Sequence, residues 1–341
     1  MTLLPAVASQ TAGAATGAGG ATSGPSFTMT GGGDVAGDGL VNSYIRAHGA
    51  HALLNHIRPV LSATDLAFIN LESPFSNKGW PQGWKDVVFR GDPRMIPGLA
   101  WAGVDVVTMA NNHTMDYHAA ALLDTIRRLK KAGVAHVGAG ANSRAAHTPA
   151  YLLRHGVKVA FLGYSDILPA GYVAGAGPGI AAGRSSLSRV RSDVHRAAHR
   201  SDFVVVAWHW NQEYTTAPGW LQRSEGKAAI NAGADIVFAH HPHVLQGVQA
   251  YHGGLICWSL GNLVFGGFSG SPTESMLVQA TVSKHRIEAT LIPVHVSSSG
   301  VPTLASGSLA HSILARVRAY SAQLGTRVVI HGTRGMVTVK R

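Results

Sequence analysis

The carboxylates and imidazoles of this chain fall at the ends of apolar runs, where chemistry would need them. Asp34 closes Phe27 to Gly33, and Glu72 follows Asp65 to Leu71. Asn111, Asn112 and His113 follow Val104 to Met109. His209 follows Asp202 to Trp208, and His240, His241 and His243 follow Asp235 to Ala239. Such runs read as strands buried on both faces. In α/β sheets, sites form at the carboxyl ends of strands. A carboxylate placed there, against apolar surroundings, must be paired, hydrogen-bonded or metal-bound. Oxygen and imidazole donors without a thiolate suit Mn, Fe, Zn or Mg. In His241-Pro242-His243, alternate residues of an extended segment point the same way, so both imidazoles can face one point. Each residue also has a plain structural reading. Asp34 can cap a turn, Glu72 can pair with Arg90, Asn112 and His113 can form a turn, and His209 can bond a backbone carbonyl. The coincidence of five strand ends favours a site over five separate accidents.

The elements that must position these residues alternate between strand and helix. Helical stretches are expected over Ser43–Leu61, Met95–Ala102, Ala119–Lys131 with Gly133 as its stop, Trp220–Ala232 and Leu309–Leu324. Further strands are expected at Val157–Leu162 and Leu255–Leu260, a hairpin over Met276–Ile292, and short strands near Val328 and Val337. The Gly, Pro and Ala-rich stretch Ile167–Arg184 reads as a flexible loop, and Trp80, Trp84, Trp101 and Trp220 as core or pocket wall. Residues 1–25, rich in Ala, Gly, Ser and Thr, read as a flexible tail before a single domain over 26–341. Met1–Ala8 lacks the basic start of a signal peptide, so a cytoplasmic location is expected, with export or membrane association as the alternative.

Composition narrows the class. Of 341 residues, 28 are Lys or Arg and 17 are Asp or Glu, which gives a net charge of +11. That balance favours an anionic or peptide substrate. The basic residues are dispersed rather than clustered with aromatics, so a nucleic-acid partner is not expected. Hydrophobic residues make up 46%, which excludes bulk disorder, and the single Cys257 excludes a disulfide scaffold or cysteine zinc site. No apolar run reaches the length of about 18 residues that a membrane span needs.

Taken in order, several segments resemble the CapA family of capsule and poly-γ-glutamate biosynthesis proteins. They are Gly33-Asp34-Val35; Asn70-Leu71-Glu72-Ser73-Pro74; Ala110-Asn111-Asn112-His113-Thr114-Met115-Asp116-Tyr117; and Gly138-Ala139-Gly140. Trp208-His209-Trp210-Asn211-Gln212-Glu213-Tyr214, His241-Pro242-His243-Val244-Leu245-Gln246 and Ser259-Leu260-Gly261-Asn262 with Phe265 complete the pattern. The resemblance covers about residues 27 to 325.

It implies an α/β fold of the calcineurin-like metallophosphoesterase kind, a four-layer αββα sandwich with one or two divalent ions at one end. Carried over, it implies Asp34, Glu72, Asn112, His209, His241 and His243 as metal ligands, with Glu72 in the bridging position. It further implies His113 as the group meeting the reacting bond, Asp116 orienting it, and Glu213 as a supporting group or base. Asn111, His240 and Asn262 would meet substrate or shape the site floor. The pattern departs at Ala36, where such enzymes commonly carry a His, and at Asn211 and His118, where the family usually has Gly. Three functions are compatible with these residues: a metal-dependent hydrolase or transferase acting on a phosphoester or γ-glutamyl substrate; a peptide Cα epimerase drawing acid and base from Asp34, Glu213, His113 and His295; and a non-catalytic accessory protein of poly-γ-glutamate synthesis.

Overall fold

The computed structural model describes residues 24–341, so all but the last two residues of the expected tail lie outside it. Two sheets dominate. In the larger, ten-stranded sheet, Ser26–Val35 runs parallel to Leu66–Leu71, which is followed by Val106–Thr108 and Ala135–Val137. On its other side the sheet turns antiparallel through Glu274–Ser283, Arg286–Val296 and Arg334–Lys340. The six-stranded sheet has Val157–Ser165, Phe203–His209, Ile236–His240 and Gly254–Cys257 as parallel neighbours.

Side-chain alternation along these strands decides what faces what. Phe203, Val205 and Ala207 join a core between the sheets, whereas Val204, Val206 and Trp208 pack under helices on the outside. Leu66 and Phe68 face inward, while Ala67, Ile69 and Leu71 face outward. The rings of Phe68, Phe161 and Phe238 meet at this centre, with both centroid separations from Phe68 at 5.9 Å. Helices Gly39–Leu54, Met95–Ala102 and His118–Lys131 supply the outer core of the larger sheet, and Leu187–Ala198 and Trp220–Asn231 that of the smaller. By the same parity, Asn70, Glu72, His209 and His240 fall on the inward side, at the seam between the sheets.

The glycine run before Asp34 lets the backbones close there. A Cβ on Gly33 would overlap the Gly261 carbonyl oxygen, which the Asp34 N–H itself faces at 3.0 Å. Because backbone rather than a flexible side chain stands in the way, Gly33→Ala is expected to destabilise the fold by about 1–3 kcal/mol or more. Urea unfolding checks this, and an unchanged midpoint would refute the close approach.

Three expectations are corrected. The helix expected over Ser43–Leu61 starts at Gly39, capped by Asp38, whose Oδ1 accepts from the Val41 N–H at 2.7 Å. It also breaks: Gly49 has φ +84, and the chain restarts as Arg58–Leu61 with Pro59 in its first turn. The Ile167–Arg184 stretch is anchored, because Gly179–Ile180 pairs with Ala139–Gly140 and Tyr172 is fully buried. Finally, Trp80, Trp84 and Trp220 are exposed at 67, 55 and 77%, so they are not core. Trp101 is half-buried, stacked on His51 at 4.1 Å under the Arg58 guanidinium.

Candidate metal centre

The parallel strands end together, and register sets the neighbours. Asp34 stands opposite Asn70 on one side and Asn262 on the other, and His209 stands opposite His240. Two groups of buried side chains result, each with its ligand atoms within 4.8 Å of one another: Asp34, Glu72 and His209, and Glu72, His241 and His243. Glu72 belongs to both. Its Oε1 is buried without a hydrogen-bond partner, 3.7 Å from His209 Nε2 and 3.8 Å from His243 Nε2. Those gaps exceed hydrogen-bond reach, and the donor set of carboxylate and imidazole is one that divalent cations take. The residues therefore fit a metal, and both groups are capable of coordinating one. Ala36 contributes no donor.

Each donor is held from behind. Asn70 Nδ2 donates to Asp34 Oδ1 at 2.9 Å and to Glu72 Oε2 at 3.1 Å. His243 Nδ1 lies 2.8 Å from Asn262 Oδ1, which leaves Nε2 turned toward Glu72. His209 Nε2 lies 2.7 Å from Asn112 Oδ1, which brings Asn112 to the same point.

Burial and charge set the protonation preferences. Burial, with the Asp34 charge and then that of Glu213, pushes the Glu72 carboxyl well above its usual range, against a smaller opposing pull from Lys85. Burial and the crowd of neighbouring imidazoles hold His209 well below its usual value and His241 down to about 3. For Asp34, burial pushes upward, but His240, His243 and Asn70 outweigh it and hold the carboxyl low.

His113 sits beside this cluster. Its Nδ1 is 2.6 Å from Asp116 Oδ2 and 3.1 Å from Lys85 Nζ, and its Nε2 has no protein partner among the described residues. Asp116 also accepts from Lys85 Nζ at 2.5 Å, the Tyr172 hydroxyl at 2.9 Å and the Phe89 N–H at 2.7 Å.

Four of the expected site residues lie outside the two ligand groups. Asn111 is wholly engaged: it donates to Asn70 Oδ1 and the Leu71 carbonyl, and accepts from the His113 N–H and the Thr114 hydroxyl. His240 is buried against Phe68, with Nδ1 3.0 Å from Asp34 Oδ1 but misaligned for a good hydrogen bond. Asn262 lies behind His243 and donates to the Pro272 carbonyl. All three are buried among protein atoms. Glu213 is exposed and outside both ligand groups, and its charge reaches Glu72. His295, a candidate acid or base, belongs to the Arg286–Val296 strand and pairs in register with Glu274.

The His241-Pro242-His243 convergence arises differently than expected. His241 and His243 have φ of +95 and +57, so the segment turns through left-handed backbone instead of running extended. Their ring centroids end 5.7 Å apart. Non-glycine residues pay for such backbone, and strain of this kind collects at functional sites. His118 and Asn211, which stand where the family usually has Gly, also adopt positive φ, +62 and +76. Glu72 does not pair with Arg90, whose guanidinium lies over the Tyr117 ring.

Sequence reasoning missed Asn70, Lys85 and Tyr172. Asn70 carries a signal, a polar residue on the inward parity of an apolar strand. Lys85 and Tyr172 come from irregular segments with no periodicity to reveal them.

Fold and site together define an α/β protein with a buried, strand-end centre capable of coordinating a divalent metal. A family profile described as bacterial capsule synthesis protein PGA_cap matches residues 28–267, and the chain belongs to that family. The capsule biosynthesis protein CapA of Bacillus anthracis is 34% identical over 259 residues, 74% of this chain and 63% of that protein. The PGA biosynthesis protein CapA of Bacillus subtilis strain 168 is 32% identical over 275 residues, 77% of this chain and 70% of that protein. The chain thus spans less than two thirds of the length of the first relative. Among solved structures, a phosphatase from Mycoplasma pneumoniae aligns at 16% identity with a TM-score of 0.46, over 82% of this chain and 91% of that one. Among the described residues, no helix is long and apolar enough to cross a membrane.

Proposed function

We propose that this chain is a divalent-metal-dependent, hydrolase-like enzyme acting on an anionic phosphoester or γ-glutamyl substrate in capsule-polymer or peptide metabolism. The reading takes its two facing sheets with outer helices as the four-layer arrangement of calcineurin-like phosphoesterases. The observation that carries it is the orphaned, fully buried Glu72 Oε1 facing His209 and His243. An unpaired buried carboxylate oxygen is costly unless an ion accompanies it.

Asp34, Glu72, Asn112, His209, His241 and His243 would hold one or two ions. A bound divalent ion supplies positive charge for an anionic reacting group and lowers the pKa of water there. The remaining work falls to side chains. Asp116 accepts a hydrogen bond from His113 Nδ1–H, fixes the ring plane and leaves Nε2 to face the reacting bond. Protonated at Nε2, His113 donates to the leaving group as a general acid. Lys85 and Tyr172 hold the Asp116 carboxylate in place.

The test is a turnover screen with protein loaded in turn with Mn, Zn, Fe and Mg. Probes are phosphoesters, γ-glutamyl peptides and linear peptides, the last followed for both cleavage and Cα chirality. Turnover that disappears with EDTA and returns on metal readdition is expected. Chirality change without cleavage would replace hydrolysis by epimerisation, and no turnover of any probe by metal-loaded protein would leave the accessory role.

A further inference from the structure

Phe89 lines a cleft of about 820 Å³ whose charged wall is largely arginine. Arg46, Arg90, Arg94 and Arg128 line it, against two carboxylates, Asp38 and Asp92. Both carboxylates are already engaged. Asp38 accepts from the N–H groups of Val41 at 2.7 Å and Gly266 at 2.6 Å, and Asp92 pairs with Arg94 at 2.7 Å. Arg128 pairs with Asp124 at 2.8 Å. Among the described residues, Arg46 and Arg90 have no carboxylate partner. Arg46 donates to the Ser43 hydroxyl at 2.7 Å. Arg90 donates from Nη2 to the carbonyls of Lys78 and Gly79, and its Nε is buried with no partner. Tyr117, 3.6 Å below the Arg90 guanidinium, fixes the plane of that fork.

The cleft is built by close backbone approach. A Cβ on Gly37 would overlap the Gly91 Cα, and one on Gly91 would enter the Phe75 ring. A preformed concavity holding oriented guanidinium donors in excess of carboxylates matches an oxyanion. Phe89 joins it to the metal centre: its ring lies 4.4 Å from that of His113, and its N–H donates to Asp116 Oδ2.

We propose that this cleft is a second anion subsite, which binds a further carboxylate or phosphate group of the substrate. Only the placing of the reacting bond at the metal centre rests on the function proposed above; anion binding by the cleft does not. A substrate carrying repeated negative groups would span both, with one group at the metal and a neighbour in the cleft. The excess of positive charge also draws such chains toward the site before contact.

The test is calorimetric titration of tri-γ-glutamate and of inorganic triphosphate into wild type, Arg46→Ala, Arg46→Glu and His241→Ala/His243→Ala, each with and without metal. Arg46 is exposed, donates to Ser43 and touches Asp92 only through its charge, so its variants should fold, as far-UV circular dichroism would confirm. Arg46→Ala is expected to weaken binding about tenfold, the value of one charge-assisted contact. Arg46→Glu is expected to weaken it further, with a shallower salt dependence. The His241/His243 variant is expected to lose metal and keep cleft binding. The stronger of the two probes tells whether the cleft is shaped for carboxylate or phosphate. Equal affinity of wild type and both Arg46 variants would overturn the proposal. So would binding that vanishes in the histidine variant alone, since the anion would then sit only at the metal. Absence of metal uptake with weakened binding in Arg46→Ala would remove the metal reading and leave the subsite standing.

Discussion

The His241→Ala/His243→Ala variant is expected to lose metal that wild type takes up stoichiometrically. Both imidazoles belong to one of the two ligand groups, and Glu72 is the third member. Loss of supporting contacts around a metal costs roughly 10–100-fold in affinity, so deleting two ligands should cost more than about 100-fold. The group of Asp34, Glu72 and His209 is left in place, so a two-ion protein would fall to at most one. Three readouts should agree. Elemental analysis of the purified proteins gives the stoichiometry. Added metal raises the unfolding midpoint of wild type, by the equivalent of about 2.7 kcal/mol at a hundredfold excess over Kd, and raises that of the variant less. Uptake by wild type is expected to weaken as pH falls, because metal and proton compete for the same ligand atoms, and burial with the Asp34 charge raises the proton affinity of Glu72. His241 Nδ1 has no hydrogen-bond partner to lose and His243 gives up one, to Asn262, so far-UV circular dichroism of the variant accompanies the metal assay. Wild type that binds no metal under any loading condition would end the metal reading, as would a variant that binds like wild type.

The sequence made the strand ends legible because burial writes itself as apolar runs. Asp34, Glu72, His209 and His241 each interrupt such a run, and the structure brings all four to one seam. Alternation carried more than was read from it: the parity that sends Phe203, Val205 and Ala207 inward also sends His209 inward, and that of Leu66 and Phe68 marks Asn70. Backbone handedness was not legible. The positive φ of His241 and His243 is set by the surrounding structure, and no residue type there announces it. The burial of Asn111, His240 and Asn262 was also hidden, because a polar residue beside a site reads the same whether it is open or packed against other side chains. Lys85 and the arginine cleft depend on how irregular segments fold back across the strand ends, which spacing along the chain does not encode. Exposed Trp80, Trp84 and Trp220 show the reverse error, since large apolar side chains were assigned to core or pocket wall by type alone.

His113→Ala is expected to lower kcat by about 10²–10⁴-fold with metal content unchanged, and its two neighbours should move the pH profile in opposite directions. His113 is held below its usual pKa chiefly by burial; the Asp116 carboxylate raises it, and the Lys85 ammonium lowers it. A general acid works in its protonated form, so activity is lost as pH rises through the His113 pKa. Asp116→Asn removes the charge that favours protonation, and the alkaline limb should shift to lower pH. It should also reduce kcat at every pH. The amide cannot replace a carboxylate that accepts from Lys85, Tyr172, Phe89 and His113 together, and the ring would lose its fixed tautomer. Lys85→Met removes the opposing charge, and the limb should shift to higher pH, with a smaller loss of kcat because Asp116 still holds the ring. A purely structural role for Lys85 and Asp116 would lower activity in both variants with no divergence of the profiles. If both limbs move the same way, or neither moves, the proton donor lies elsewhere; unchanged turnover in His113→Ala would remove this histidine from the reaction altogether.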